Sequence, residues 1–283
     1  MDKPILTIGI PVYNESKYLT KTIESAINQS FGNIRILIAD NCSLDNSFEI
    51  MKSFAAKDNR IEIIRHNQNL GALKNFQYLL INASTKYFMW LGGHDIIPED
   101  YAYNLINQIL LNRDSVMSFG SVNNIDNNEN IVDFYQYNFN EELISFDYFE
   151  RVYSLIKNLE DCTLIQGVFL TDVLIKSFFD KPCLGVDHII LAKAISFGKF
   201  VYDINTQYKR REVREEDLLE ANKRRCKEIG DSNNKPENNY QDLQIEQLKI
   251  IKELKTRNLF KKIIWIYRSK QMLERRFGKF KRN

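Results

Sequence analysis

Along the first hundred positions, short apolar runs alternate with amphipathic stretches. Ile5–Ile10 is a run closed by Pro11 and reads as a buried strand. From Tyr18 to Gln29, Leu19, Ile23, Ala26 and Ile27 share one helical face. The loop between them, Val12–Ser16, offers Asn14 or Ser16 as the cap of that helix. Ile34–Ala39 predicts a second strand ending in Asp40-Asn41-Cys42-Ser43, and Asp45–Ala56 a second helix. Ile61–Ile64, Leu73–Ala83 and Lys86–Leu91 then give a third strand, a third helix and a fourth strand. This alternation predicts an α/β fold with a doubly wound, mostly parallel sheet. Every strand ends in polar residues or glycine, on the sheet edge where open α/β folds bind ligands.

The fourth strand ends abruptly: Leu91 is followed by Gly92, Gly93, His94 and Asp95. The two glycines remove side chains where a ligand needs close approach to the backbone. His94 and Asp95 offer a nitrogen and a carboxylate, a pair suited to a divalent metal or to a sugar. A tight turn with a solvated His-Asp pair fits the same four residues.

After Ile97 the rhythm changes. Tyr101–Leu111 predicts a helix, Ser115–Val122 a strand, Asn123–Asn128 a turn and Ile131–Tyr137 its hairpin partner. Asn140–Leu159 is mixed and helical, Thr163–Phe169 is a strand or loop, and Thr171-Asp172 starts a helix. Ile189–Phe197 is an apolar helix. Residues 211–228 form a charged, solvated helix, and 230–239 a polar break. Tyr240–Thr256 and Asn258–Asn283 read as two further helices. The last mixes Phe260, Ile263, Trp265 and Tyr267 with many Lys and Arg, a composition that suits an anionic membrane surface. Docking of its apolar face on the body, or on a second subunit in a homodimer, suits it as well.

Composition narrows the class more than the activity. At 283 residues, 44% hydrophobic and 12% aromatic, the chain is globular. Its formal net charge of +2 argues for no nucleic-acid partner. Four scattered cysteines (Cys42, Cys162, Cys183, Cys226) have neither metal-ligand nor disulfide-dense spacing and fit a reducing cytoplasm. The N-terminal apolar run is short for a signal peptide, and no stretch approaches the ~20 apolar residues of a membrane span. With no GxGxxG after the first strand and no GxxxxGK[ST], dinucleotide-binding and P-loop chemistry are disfavoured.

Four blocks now come together in order: IPVYNESKYL, LIADNCSLDNS, NQNLGALKN and YFMWLGGHD. In order and spacing they resemble the family 2 glycosyltransferases of the GT-A fold. Those enzymes carry a P-x-Y-N loop, a D-D-G-S-x-D turn, an N-x-G-x-x-x-R-N segment and a strand ending in D-x-D. The resemblance implies a GT-A-like sheet with a C-terminal helical extension. Residues 1–95 would be the nucleotide-sugar half, 96–211 the acceptor half, and 212–283 a helical, basic extension. Donor-binding residues implied by it are Pro11, Tyr13, Glu15, Asp40, Asn41, Gly71, Lys74, Asn75, Gly92 and Gly93. Asp40 falls on the aspartate that accepts from uracil N3–H, a role that a carboxylate fits. Lys74 stands where the family often has arginine, supplying charge without the bidentate fork.

The metal motif departs from the pattern, with Gly92 at the first acid and His94 at the second. The resemblance then implies a divalent metal, Mn or Mg, held by His94 and Asp95. Metal-independent transfer helped by Lys74 is the rival. Gln166, Gly167 and His188 are expected at the acceptor. Asp187 falls on the catalytic base, which must take the proton of the attacking hydroxyl; a carboxylate at a helix start is also a simple N-cap. His188 is an alternative base, and His66 reads as a bystander at the end of its strand. The activity implied is inverting transfer from a UDP-sugar to a glycan or lipid-linked glycan, in bacterial surface-polysaccharide (capsule or lipopolysaccharide) synthesis. The enzyme would be cytoplasmic, peripheral on the inner face of the membrane. The alternative is a catalytically degenerate scaffold subunit that binds sugar nucleotide or glycan.

Overall fold

In the computed structural model, described for residues 3–139, 141–212, 223, 240–254 and 259–277, one eight-stranded sheet organises the chain. The first four strands are β1 (Leu6–Val12), β2 (Ile34–Asp40), β3 (Ile61–Arg65) and β4 (Tyr87–Trp90). They lie in the order β3-β2-β1-β4, all parallel. Helices α1 (Leu19–Ile27), α2 (Ser47–Ala55) and α3 (Ala72–Ile81) make the crossovers. Their loops therefore share one sheet edge, as the sequence pattern requires.

The second half adds α4 (Tyr101–Leu111), β5 (Ser115–Ile125) and β6 (Ile131–Tyr135). After a helical turn at Glu141–Ile144 come α5 (Tyr148–Asn158), a second turn at Thr163–Gln166, and β7 (Val168–Leu170). The chain continues through α6 (Thr171–Ser177), α7 (Val186–Phe197) and β8 (Lys199–Arg211). Strand β7 lies antiparallel between β4 and β5, so the sheet passes without a break from one half to the other. Strand β8 runs parallel to β5 along its length.

Side-chain alternation splits the core between the two faces of the sheet. Leu6, Ile8 and Ile10 of β1 pack with Leu19, Ile23, Leu105 and Ile106 of α1 and α4. Leu37, Phe88 and Trp90 face the other way, toward Leu79 of α3 and the helices of the second half. Gly9 is explained by this layering: a Cβ there would lie 2.8 Å from the Phe88 ring.

Several boundaries differ from the sequence reading, each for a local reason. Pro11 sits inside β1, opposite Ala39. Neither Asn14 nor Ser16 caps α1, whose N-cap is Tyr18; Asn14 instead accepts from the Leu44 amide at 2.8 Å. Strand β5 continues through Asn123 and Asn124, expected in a turn, because both amides are satisfied inside the sheet. Asn123 donates to Gln207 at 2.7 Å, and Asn124 accepts from Arg210 at 2.9 Å. The charged segment at 211–228, the break at 230–239 and Cys226 lie outside the described residues, apart from Arg211, Glu212 and Lys223.

Two last helices, α8 (Gln241–Glu253) and α9 (Leu259–Phe277), dock on α5 and α7. Leu243, Ile251 and Leu273 join the core, so the body covers at least one face of this extension. Among the described residues no helix is long and apolar enough to cross a membrane.

Candidate nucleotide-sugar site

The loops after β1 and β2 are stitched together through backbone amides. Asn14, Glu15 and Ser16 donate in turn to Ser43 Oγ, Ser47 Oγ and Asp45 Oδ2, each at 2.9 Å. Partial burial pushes the Asp45 carboxyl up, but hydrogen bonds from Ser47 and Ser16 win and bring it down to about 2. Asn14 and Cys42 adopt positive φ, at 56° and 63°, which folds the two turns against each other. Tyr13 is left 44% exposed on the rim.

Asp40 closes β2 and is fully buried. Its Oδ1 accepts from the Ser43 amide at 3.0 Å. Its Oδ2 lies 3.2 Å from Arg65 Nε yet has no hydrogen-bond partner. Arg65, opposite Asp40 in the sheet register, also donates to Ser43 O at 2.8 Å and stacks on Phe48. Its guanidinium is the ion-pair partner of the carboxylate, whose Oδ2 accepts no hydrogen bond. The sequence reading passed over Arg65; the signal was a basic residue at the end of the strand beside Asp40.

Asn41 and Asn75 are spent on structure. Asn41 donates to Asn69 Oδ1 at 2.9 Å and accepts from the Leu70 amide at 2.8 Å, fixing the turn before α3. Asn75 donates to Ala39 O and meets His66 Nε2, both at 3.0 Å. His66 is therefore part of this brace, and no bystander. Gly71, at φ 84°, precedes the N-terminus of α3, where Lys74 is exposed. Free amides and a cation at such an end suit a phosphate.

At the end of β4 the space beside each glycine is taken by the protein itself. A Cβ on Gly92 would strike the Asp95 carboxylate, and one on Gly93 would come within 3.0 Å of Glu15 and of Pro11 O. Asp95, expected as a metal ligand, points inward. Its Oδ2 accepts from Tyr208 OH at 2.7 Å and its Oδ1 from the Arg211 amide at 2.8 Å. Burial, then the Asp95 charge, push the Tyr208 hydroxyl well up, so it remains a donor. Arg211 is itself buried, donating to His94 O and Asp126 O and stacking on Tyr18. His94 is partly exposed: Nδ1 lies 3.0 Å from Glu15 Oε1, and Nε2 lies 4.0 Å from Asp95 Oδ1. Among the described residues no three His, Cys, Asp or Glu side chains gather as a cation cage. With both Asp95 oxygens engaged, His94 is the side chain of the expected pair with a nitrogen suited to a metal.

Gln166 and Gly167, expected at the acceptor, lead into β7, whose antiparallel register carries them toward the end of β4. Tyr101 OH donates to Gln166 O at 3.3 Å, and the Gln166 side-chain oxygen is buried without a partner. Gly167 is required by close packing on Ser118 O and Met117. Asp187 lies half-buried in the first turn of α7. His188 beside it turns inward: its Nδ1 is buried without a partner, and burial, with Arg276 nearby, lowers its pKa to about 4.

A family model described as glycosyl transferase family 2 matches residues 7–177, well over half of the chain. Among curated relatives, glycosyltransferase GlyG of Streptococcus pneumoniae serotype 4 is 30% identical over 132 residues, 46% of this chain and 43% of that protein. Glycosyltransferase GlyA of the same organism is 28% identical over 213 residues, 71% of this chain and 29% of that protein. The matched part is thus less than half the length of either relative. Among solved structures, a UDP complex of Staphylococcus aureus TarS superposes with a TM-score of 0.69 at 15% identity, covering 97% of this chain and 72% of that one. The mannosyltransferase PcManGT of Pyrobaculum calidifontis, with GDP-Man and Mn2+, gives 0.54 at 10%, covering 97% and 76%. At those identities the structural likeness shows the fold, a GT-A-like α/β architecture.

Proposed function

Since this chain belongs to the family 2 glycosyltransferases, we propose that it transfers a sugar from a UDP-sugar to a hydroxyl of a glycan or lipid-linked glycan. The setting proposed is bacterial surface-polysaccharide synthesis at the inner face of the membrane. One observation carries the donor reading: Asp40 Oδ2, buried beside the Arg65 guanidinium, accepts no hydrogen bond at the edge where the four loops meet. A buried carboxylate oxygen left open costs stability unless a donor meets it. Uracil N3–H is such a donor, with Tyr13 at hand for the flat face of the base. The TarS structures containing UDP and UDP-GlcNAc support the same nucleotide by likeness of fold.

In this reading Lys74 and the α3 N-terminus face the diphosphate. The acceptor hydroxyl attacks the anomeric carbon opposite the leaving group, and Asp187 takes its proton. The new C–O bond forms as the bond to the diphosphate breaks, with the electron pair leaving on UDP and the configuration inverted. A divalent cation would neutralise charge on the departing diphosphate, and this chain would meet it through His94. Calorimetric titration with UDP, CDP and GDP tests the donor. UDP should bind best and lose that preference in Asp40→Asn; equal binding of all three would sink the assignment.

The glycines at 92 and 93 and the inward Asp95 favour a second reading, a non-catalytic subunit that holds a sugar nucleotide or glycan. UDP release from a panel of UDP-sugars with acceptor present separates the two, since the scaffold would release none.

A further inference from the structure

Helix α9 is apolar on two faces, and the described body covers one of them. Inward, Ser269 and Leu273 are fully buried, and Trp265 packs on Phe149 and Tyr153 of α5. Outward, Phe260, Ile263, Ile264 and Tyr267 follow the i, i+3, i+4, i+7 spacing of a single stripe. They are 74%, 57%, 37% and 62% exposed. A contiguous exposed apolar stripe rimmed by charged residues marks an interaction surface, so this stripe calls for a cover.

Charge indicates which cover. Residues 259–277 carry six basic side chains against one acid, Glu274. Arg268, one turn beyond Ile264, and Arg275, two turns further, border the stripe and line a cleft of about 600 Å³ between α9 and α5. Lys157 lines its other side, with Glu160 as its acid. Among the described residues no ion pair engages Lys157, Arg268 or Arg275. Arg276 is committed: its guanidinium donates to the Ile156 and Leu159 carbonyls, clamping α9 onto the end of α5. Two copies joined stripe to stripe in antiparallel order, with both arginine rows on one side, would set like charges against each other. A surface that is both oily and anionic satisfies stripe and cleft together.

We propose that the outward face of α9 docks on an anionic lipid surface. Phe260, Ile263, Ile264 and Tyr267 enter the interface, and headgroup phosphates sit against Lys157, Arg268 and Arg275. The proposal gives a surface to the membrane-side location suggested above and needs nothing of the sugar chemistry.

Flotation of the full chain with phosphatidylcholine vesicles, with and without phosphatidylglycerol, tests it. Binding should require phosphatidylglycerol and weaken in high salt. The double variant Arg268→Gln, Arg275→Gln should bind about 30-fold more weakly, at roughly one unit of surface attraction per cation. The pair Phe260→Ser, Ile263→Ser should lose binding while keeping its melting temperature, since both side chains point outward. UDP affinity in solution should be unchanged in both, so a wild type that fails to bind UDP speaks against the donor assignment and not against this surface. Equal binding to neutral vesicles, or retained binding in either double variant, overturns the proposal. So does competition by millimolar inorganic phosphate, which would make the cleft a site for soluble anions. A mass that falls from dimer to monomer in the serine variant would assign the stripe to a second copy and overturn it as well.

Discussion

Asp40 and Asp95 are both buried aspartates at or beyond the carboxyl ends of two parallel strands, β2 and β4, that flank β1, and their surroundings give them opposite tasks. Asp95 has its two oxygens filled, by Tyr208 OH and the Arg211 amide. It locks the second half of the chain onto the β4 turn. Asp40 has one oxygen filled, by the Ser43 amide, and a charge partner in Arg65 beside Oδ2, which accepts no hydrogen bond. Sequence position assigns both to a site. The partners show that an aspartate is poised for a ligand when its charge is compensated and its hydrogen-bonding capacity is not exhausted.

A third aspartate marks the far end of the comparison and carries the largest expected effect. Asp187 is proposed to act on the proton and not on the nucleotide. Asp187→Asn should cut turnover by roughly 10²–10⁴-fold and leave UDP affinity within error. Turnover close to wild type would remove it as base.

His188 tests whether any buried atom without a partner marks a ligand site. Its imidazole is buried but neutral, its pKa lowered to about 4 by burial and the Arg276 charge, so it needs no counter-charge. The unfolded chain takes up the proton near pH 6.5 and the folded one only near 4. The stability from this group is therefore full above pH 6.5 and lost as pH falls toward 4, about 3 kcal/mol in all. Melting temperature should drop across that window, and less so in His188→Leu. An unchanged pH profile in that variant would show that the imidazole does not carry the acid sensitivity.

The two aspartates themselves should then part company. Asp40→Asn should weaken UDP by about 10- to 100-fold, the worth of a hydrogen bond to a charged group, with little change in melting temperature. Asp95→Asn sets an amide against two donors and should cost about 1–3 kcal/mol of stability, read as a lower melting temperature. UDP binding to the folded fraction should change far less. If both variants act on affinity alone or on stability alone, the contrast between them is wrong.

What the sequence discloses follows from how far each partner lies along the chain. β1–β4 are legible because each is a local apolar run ending in polar residues, and the resemblance rests on these same local blocks. The state of Asp95 was hidden because Tyr208 and Arg211 stand 113 and 116 positions away. Asn123 and Asn124 looked like a turn because their partners, Gln207 and Arg210, come 84 and 86 positions later. Gly92 and Gly93 were recognised as sites of close approach, but what approaches is Asp95 and Glu15. The basic, apolar character of the last helix was plain; which of its faces the body covers depended on α5 and α8.

The smallest effect is expected at His94, where the comparison is sharpest. Had the β4 turn kept a second open carboxylate, metal removal would be expected to cripple donor binding. Instead Asp95 is closed and Glu15 lies against His94 Nδ1, so the proposed cation would meet this turn through the His94 imidazole. UDP affinity in Mn2+ should therefore exceed that in EDTA by no more than about tenfold, the equivalent of one modest polar contact. His94→Ala should erase the difference while leaving the EDTA value unchanged. Equal affinities in the wild type would take the metal away from His94 and leave the diphosphate to Lys74 and the α3 N-terminus. A metal effect that survives His94→Ala would place the ligand elsewhere on the chain and require Asp95 to turn outward when the donor binds.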